Sequence, residues 1–189
     1  MSDLNTDYRA FVAKLFNRTG DLSKDFSHAV FGIVTEVDEM FKAQDAKHAR
    51  EEKGDLTFFM VALDIVATEA SFTQLVADDM TAYPEVLQQA MAAESPGRAL
   101  NDLLIDLMDA AKRWVGYGKT PADFSELVYK ARLAVGIALT MTPFQGDTPE
   151  DVQKTNMAKL LVRYPGGEFD AYRAVERDLE AERVVLEKP

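Results

Sequence analysis

The sequence predicts an all-α protein, a helical bundle, and three observations carry that expectation. Apolar residues recur at three- and four-residue spacing, with almost none of the alternation a half-buried strand requires. Breakers punctuate the periodic stretches: Pro84, Ser95-Pro96-Gly97, Gly116 with Gly118, and Pro143 with Gly146-Asp147. Thr120-Pro121 and Thr148-Pro149 each place proline at a first helical position behind a threonine cap. In chain order, the periodicity predicts a first helix over 7–16, a second over 24–43, a third over 49–69 and a fourth over 71–82. After Ser95-Pro96-Gly97 a helix runs over 98–115 and stops before Gly116. The two Thr-Pro starts open helices over 121–141 and 149–162, and a charged segment forms a last helix over 169–186.

A chain of 189 residues makes one domain, 1–189, or two small repeats sharing a core. Its 47% hydrophobic content is enough for a globular interior. The net charge of -11 lacks the basic footprint of a nucleic-acid scaffold, so no polymer partner is expected. Without cysteine there is neither a disulfide framework nor thiolate chemistry. Met1 to Asp7 has no basic and apolar signal-peptide pattern, and no apolar run approaches the roughly 20 residues of a membrane span. A cytoplasmic setting without membrane contact is the expectation.

Four acids stand out. Glu36 and Glu39 interrupt one apolar stretch; Glu52 and Asp55 open the next. Each pair is spaced i, i+3, which puts both carboxylates on one helix face about one turn apart. Acids among apolar neighbours are partly buried and require cations. Two such helices facing each other converge four carboxylates, an oxygen-only donor set that suits Mg²⁺ or Mn²⁺. Glu-x-x-Glu is also common on solvated helix faces, and the residues alone leave both readings open.

The segment from Phe26 to Leu63 resembles the catalytic half of the all-α nucleoside triphosphate pyrophosphohydrolases, the MazG-like proteins and their dimeric dUTPase relatives. Glu36-Val-Asp-Glu39 and Glu51-Glu52-Lys-Gly-Asp55 match that family's Glu-x-x-Glu and Glu-Glu-x-Gly-Asp in order and context. Asn156-Met-Ala-Lys159-Leu-Leu-Val-Arg163-Tyr164-Pro165 resembles the tail of phage and bacterial members, and Tyr117-Gly118-Lys119 their Tyr-Gly-Lys linker. The charged segment from Glu176 to Arg183 adds nothing specific. The resemblance implies Mg²⁺-dependent hydrolysis of a nucleoside triphosphate, a dNTP in the first instance, to the monophosphate and pyrophosphate. Glu36, Glu39, Glu52 and Asp55 would hold the metal and serve catalysis, with Glu51 orienting a ligand or water. Lys119, Asn156, Lys159 and Arg163 would bind the substrate, mainly through its phosphates. A dUTPase-type activity and a non-catalytic helical binding or assembly protein are the alternatives, and a homodimer is compatible with either.

The two halves also align, as degenerate repeats over 24–82 and 98–165 fused as a pseudo-dimer. A shift of 70 residues carries Glu36, Glu39 and Lys42 onto Asp106, Asp109 and Lys112. A shift of 77 carries Glu52 and Asp55 onto Tyr129 and Arg132, and Asp79 and Met80 onto Asn156 and Met157. The first half keeps the metal acids and the second holds the phosphate-binding cations, which predicts one composite site. Asn156 and Lys159 share a helix face that suits a common ligand or a plain polar surface, and Lys119 beside a glycine is also an ordinary solvated lysine. Phe16, Phe41 and Trp114 are candidates to stack on a base, though aromatics at helical spacing are usually core. Asp25-x-x-His28 and Asp45-x-x-His48 do not fit the Glu-x-x-His pairs of a di-iron bundle. There is no P-loop, dinucleotide fingerprint or Ser-His-Asp set.

Overall fold

Helix boundaries in this chain follow side-chain capping more closely than proline. The computed structural model describes residues 4–71, 83–93 and 95–186. Its helices are α1 (Leu4–Leu15), α2 (Leu22–Lys42), α3 (Ala46–Ser71), α4 (Tyr83–Ala92), α5 (Pro96–Tyr117), α6 (Phe124–Met141), α7 (Pro149–Arg163), α8 (Ala171–Val175) and α9 (Leu179–Leu186). No strand occurs among the described residues, so the all-α bundle stands. Nor is any helix among them long and apolar enough to cross a membrane.

Asp21 caps α2 by accepting from the backbone N–H groups of Ser23 and Lys24. Thr148 caps α7 in a full capping box with Asp151, as the Thr-Pro pattern predicts. The parallel expectation at Thr120-Pro121 is corrected: α6 starts at Phe124, capped by Asp123 through the Glu126 N–H. Asp123 is the better acceptor, and starting there buries Phe124 against Phe26 and Trp114. Before it, α5 ends on Gly118 at φ 66°, a left-handed cap that suits glycine. Pro84 does not simply break the chain; it sits in the first turn of the unforeseen helix α4, where its missing N–H costs nothing. The helix expected over 71–82, with Asp79 and Met80 of the repeat alignment, lies outside the described residues except for Ser71, the last residue of α3. The helix expected over 169–186 is two, α8 and α9, each capped by its own aspartate, Asp170 and Asp178.

A short turn joins α2 to α3, and the pair forms a long antiparallel hairpin. α5 and α6 form a second hairpin, with α5 against α2 and α6 against α3. All four helices share one apolar core, including Val30, Ile33, Leu56, Leu63, Leu107, Ala131 and Ile137. α1 and α7 lie against α3, and α9 closes over α7 and α3. Leu160 of α7 and Tyr164, just past its end, meet Leu15 of α1 in a smaller satellite core. That outer layer decides what surrounds the acids of α2 and α3.

Candidate functional site

Glu36 and Glu39 lie near the end of α2, and Glu52 and Asp55 near the start of α3, so the hairpin turn folds one pair back onto the other. Carboxylate oxygens of Glu36, Glu39 and Glu52 come within 4.8 Å of one another. Glu36 is half-buried, Glu39 exposed and Glu52 buried. Burial, then the charge on Asp55, then the hydrogen bond it shares with Glu52, push the Glu36 carboxyl up to about 9. Burial also raises Glu52, against the pull of that hydrogen bond. Like charges this close in a partly dry place either share protons or accept a cation. An all-carboxylate donor set of this kind fits a hard divalent ion.

Asp55 lines the same cavity but is held from the other side. α7 supplies both of its partners: Asn156 Nδ2 donates to Oδ1 at 2.9 Å and Lys159 Nζ to Oδ2 at 2.5 Å. Tyr8 of α1 donates its hydroxyl to Asn156 Oδ1 at 2.8 Å, so a relay of hydrogen bonds runs from α1 through α7 to α3. Burial, and then the negative charge of Asp55, raise the Tyr8 phenol well above its ordinary range and keep it a donor. Gly54 makes the relay possible: a Cβ there would stand 2.9 Å from Asn156 Nδ2 and 3.0 Å from its Cβ. Lys159 is fully buried and also reaches Glu51 Oε1 at 3.4 Å.

The cavity holds about 360 Å³. Glu36, Glu39, Glu51, Glu52 and Asp55 line it together with Arg163 and Arg177, and so do the rings of Phe16, His28, Phe58, Phe59, Tyr164 and Phe169. Phe16 and His28 stack at 4.8 Å between centroids, with 22° between planes, and Phe59 meets His28 edge-on at 5.7 Å. Gly32 seats Phe59, because a Cβ at that position would fall 2.3 Å from the ring.

The substrate-binding residues expected from the sequence part company here. Asn156 and Lys159 of α7 reach Asp55, but of the three α7 residues only Arg163 lines the cavity. Lys159 lies buried behind the wall, so its cation serves Asp55 and Glu51. Lys119 is not among them: it lines a separate cavity with Asp106, Asp109, Arg113 and Lys130. In that cavity Lys130 pairs with Asp106 at 2.7 Å, and Arg113 with Asp109 at 2.6 Å, so the second-half acids are already neutralised. Arg132, at the position aligned with Asp55, reaches Asp64 at 3.4 Å. Of the other aromatic candidates, Trp114 packs on Phe26 and Phe124 in the core, and Phe41 is exposed away from the cavity lining. Asp45 spends its side chain on the His48 N–H at the start of α3, and Asp25 pairs with Arg18.

Three features escaped the sequence reading. Phe58 and Phe59 follow Asp55 at i+3 and i+4, a spacing that puts aromatic rings on the acid's own face. His28 lies two turns before Glu36 along α2, near the same face. The C-terminal segment taken as unspecific holds Glu182, 1% exposed, in the register of Leu186, and an acid at a core position signals cations paired with it. Those cations are Arg163 and Arg177.

Fold and site together define an all-α protein with a cavity lined by clustered carboxylates and aromatic rings. No protein-family model, curated protein or solved structure matches this chain.

Proposed function

We propose that this protein is a divalent-metal-dependent hydrolase that splits a nucleoside triphosphate into the monophosphate and pyrophosphate. The observation that supports it most is the lining of the cavity, which combines clustered carboxylates from α2 and α3 with stacked aromatic rings. A nucleotide has the matching polarity, with a flat apolar base and an anionic tail. Glu36, Glu39 and Glu52 would hold Mg²⁺, with Asp55 completing the acid wall under the control of Asn156 and Lys159. When bound, such an ion lowers the pKa of a coordinated water and offsets charge on phosphate oxygens. The chain's own contributions are distinct. Lys159 keeps Asp55 and Glu51 oriented without itself touching the cavity, Arg163 offers a guanidinium to phosphate oxygen, and Phe16 with Phe59 shields the base from water. On this reading 24–82 and 98–165 are the two diverged repeats, with the metal acids kept in the first and their support drawn from α7 of the second.

The test is pyrophosphate release from a panel of ribo- and deoxynucleoside triphosphates, dUTP included, with and without Mg²⁺. Mg²⁺-dependent release from at least one of them is expected. Absence of turnover across the panel would leave a helical binding protein instead.

A further inference from the structure

Beside the acid cavity lies a second one of about 600 Å³. Glu51, Glu52 and Arg177 line both, so the two are contiguous. The second adds Asp45, Lys47, His48 and Arg183 to its wall. Arg177 stands at the junction because the C-terminal segment is not one helix. In a continuous helix, positions 177 and 182 point about 140° apart and do not meet. The break between α8 and α9 turns Arg177 back, so that its Nη2 reaches Glu182 Oε2 at 2.8 Å and approaches Glu51 Oε1 at 3.9 Å. Glu182 also takes Nε and Nη2 of Arg163, at 2.9 and 2.6 Å. One buried carboxylate thus fixes two guanidinium groups at the rim of the acid cavity. The trio keeps a net positive charge, and Arg177 engages its acids through Nη2 alone.

The geometry points to the C-terminal segment as part of the substrate site: Arg177, between α8 and α9, and Arg163 of α7 form a fork for the terminal phosphates of a polyphosphate, and Glu182 of α9 is the positioning residue that aims it. The tail would run from the acid cavity into its neighbour, past His48 and Arg183. Lys119, remote from both cavities, has no part in it. This inference rests on the nucleotide reading for the identity of the substrate, and on the Arg163–Glu182–Arg177 geometry for the phosphate contact.

Calorimetric titration of inorganic pyrophosphate into the full chain at fixed Mg²⁺ tests it, using wild type, Arg177→Gln, Arg177→Lys and Glu182→Gln, with Mg²⁺ alone as a parallel titration. Arg177 is one-third exposed, so its glutamine variant should fold as wild type does. Arg177→Gln is expected to weaken pyrophosphate by about tenfold or more and to leave Mg²⁺ binding unchanged; Arg177→Lys should restore part of the loss. Glu182→Gln should shift pyrophosphate affinity in the same direction. In turnover, the loss should appear mainly as a raised KM. Wild-type pyrophosphate affinity in Arg177→Gln, or no pyrophosphate binding by an otherwise active wild type, overturns the inference while the proposed activity survives. Arg177-dependent pyrophosphate binding without hydrolysis of any triphosphate supports the fork and sinks the enzyme.

Discussion

Glu39 is the sharpest single-residue test. It is exposed, so Glu39→Gln removes a charge from the acid cluster and almost nothing from the core. Turnover should fall by orders of magnitude with the melting temperature of the metal-free protein kept or raised, because repulsion with Glu36 and Glu52 is relieved. Full Mg²⁺-dependent activity in that variant would remove the carboxylates from the mechanism. Gly54 tests the support behind them. Gly54→Ala forces a methyl group into Asn156 and should cost about 1–3 kcal/mol. Because Asn156 carries the relay to Asp55, activity should drop further than stability accounts for; urea unfolding and steady-state rates measured side by side separate the two. The opposite result is expected at Asp106 and Asp109. Lys130 and Arg113 neutralise them in a cavity away from the acid cluster, so Asp106→Asn and Asp109→Asn should leave kcat/KM within about twofold of wild type. An essential Asp106 would mean that the second half hosts chemistry of its own.

At the level of elements, α9 behaves as an electrostatic latch on α7. Burial alone would raise the Glu182 carboxyl, but hydrogen bonds from Arg163 and Arg177 outweigh it and hold the group down at about 2, below the ordinary value of 4.5. A depressed carboxylate stabilises the fold above its unfolded pKa, and that stabilisation is lost as pH falls toward the folded one. The latch should therefore contribute fully above about pH 4.5 and release between there and about pH 2. Thermal melts across that range should show wild type losing more stability than Glu182→Gln, whose side chain does not titrate. Parallel curves would show that the pairing contributes nothing. The element also accounts for a misreading: a long charged stretch suggests one solvated helix, whereas Asp170 and Asp178 cap two short ones and turn Arg177 inward between them.

For the whole molecule, one core runs through both hairpins, with α5 on α2 and α6 on α3. Hairpins joined in this way cannot melt separately, since neither buries its apolar face alone. Calorimetric unfolding should give a single transition whose van't Hoff and calorimetric enthalpies agree, and two resolved transitions would show the halves to be independent units. Mg²⁺ should raise that transition temperature by mass action if the acid cluster binds it in the folded state only.

What the sequence by itself determined was local. Apolar spacing specified helices, the Thr148-Pro149 pair specified where α7 begins, and the i, i+3 pairing of Glu36 with Glu39 and of Glu52 with Asp55 specified which faces carry acid. These follow from the 3.6-residue period and from capping, which act over a few residues. Tertiary structure decided which cations answer those acids. Lys119 and Lys159 read alike as phosphate-binding lysines, yet one lies in another cavity and the other is buried on Asp55. Arg177 gave no sign at all, because its place depends on a helix break and on a partner across the bundle. An amphipathic helix records which face is buried but not which neighbour covers it. Charge pairing at this site arises from the packing of α7 and α9 on α3, at separations of about a hundred residues that no local pattern encodes.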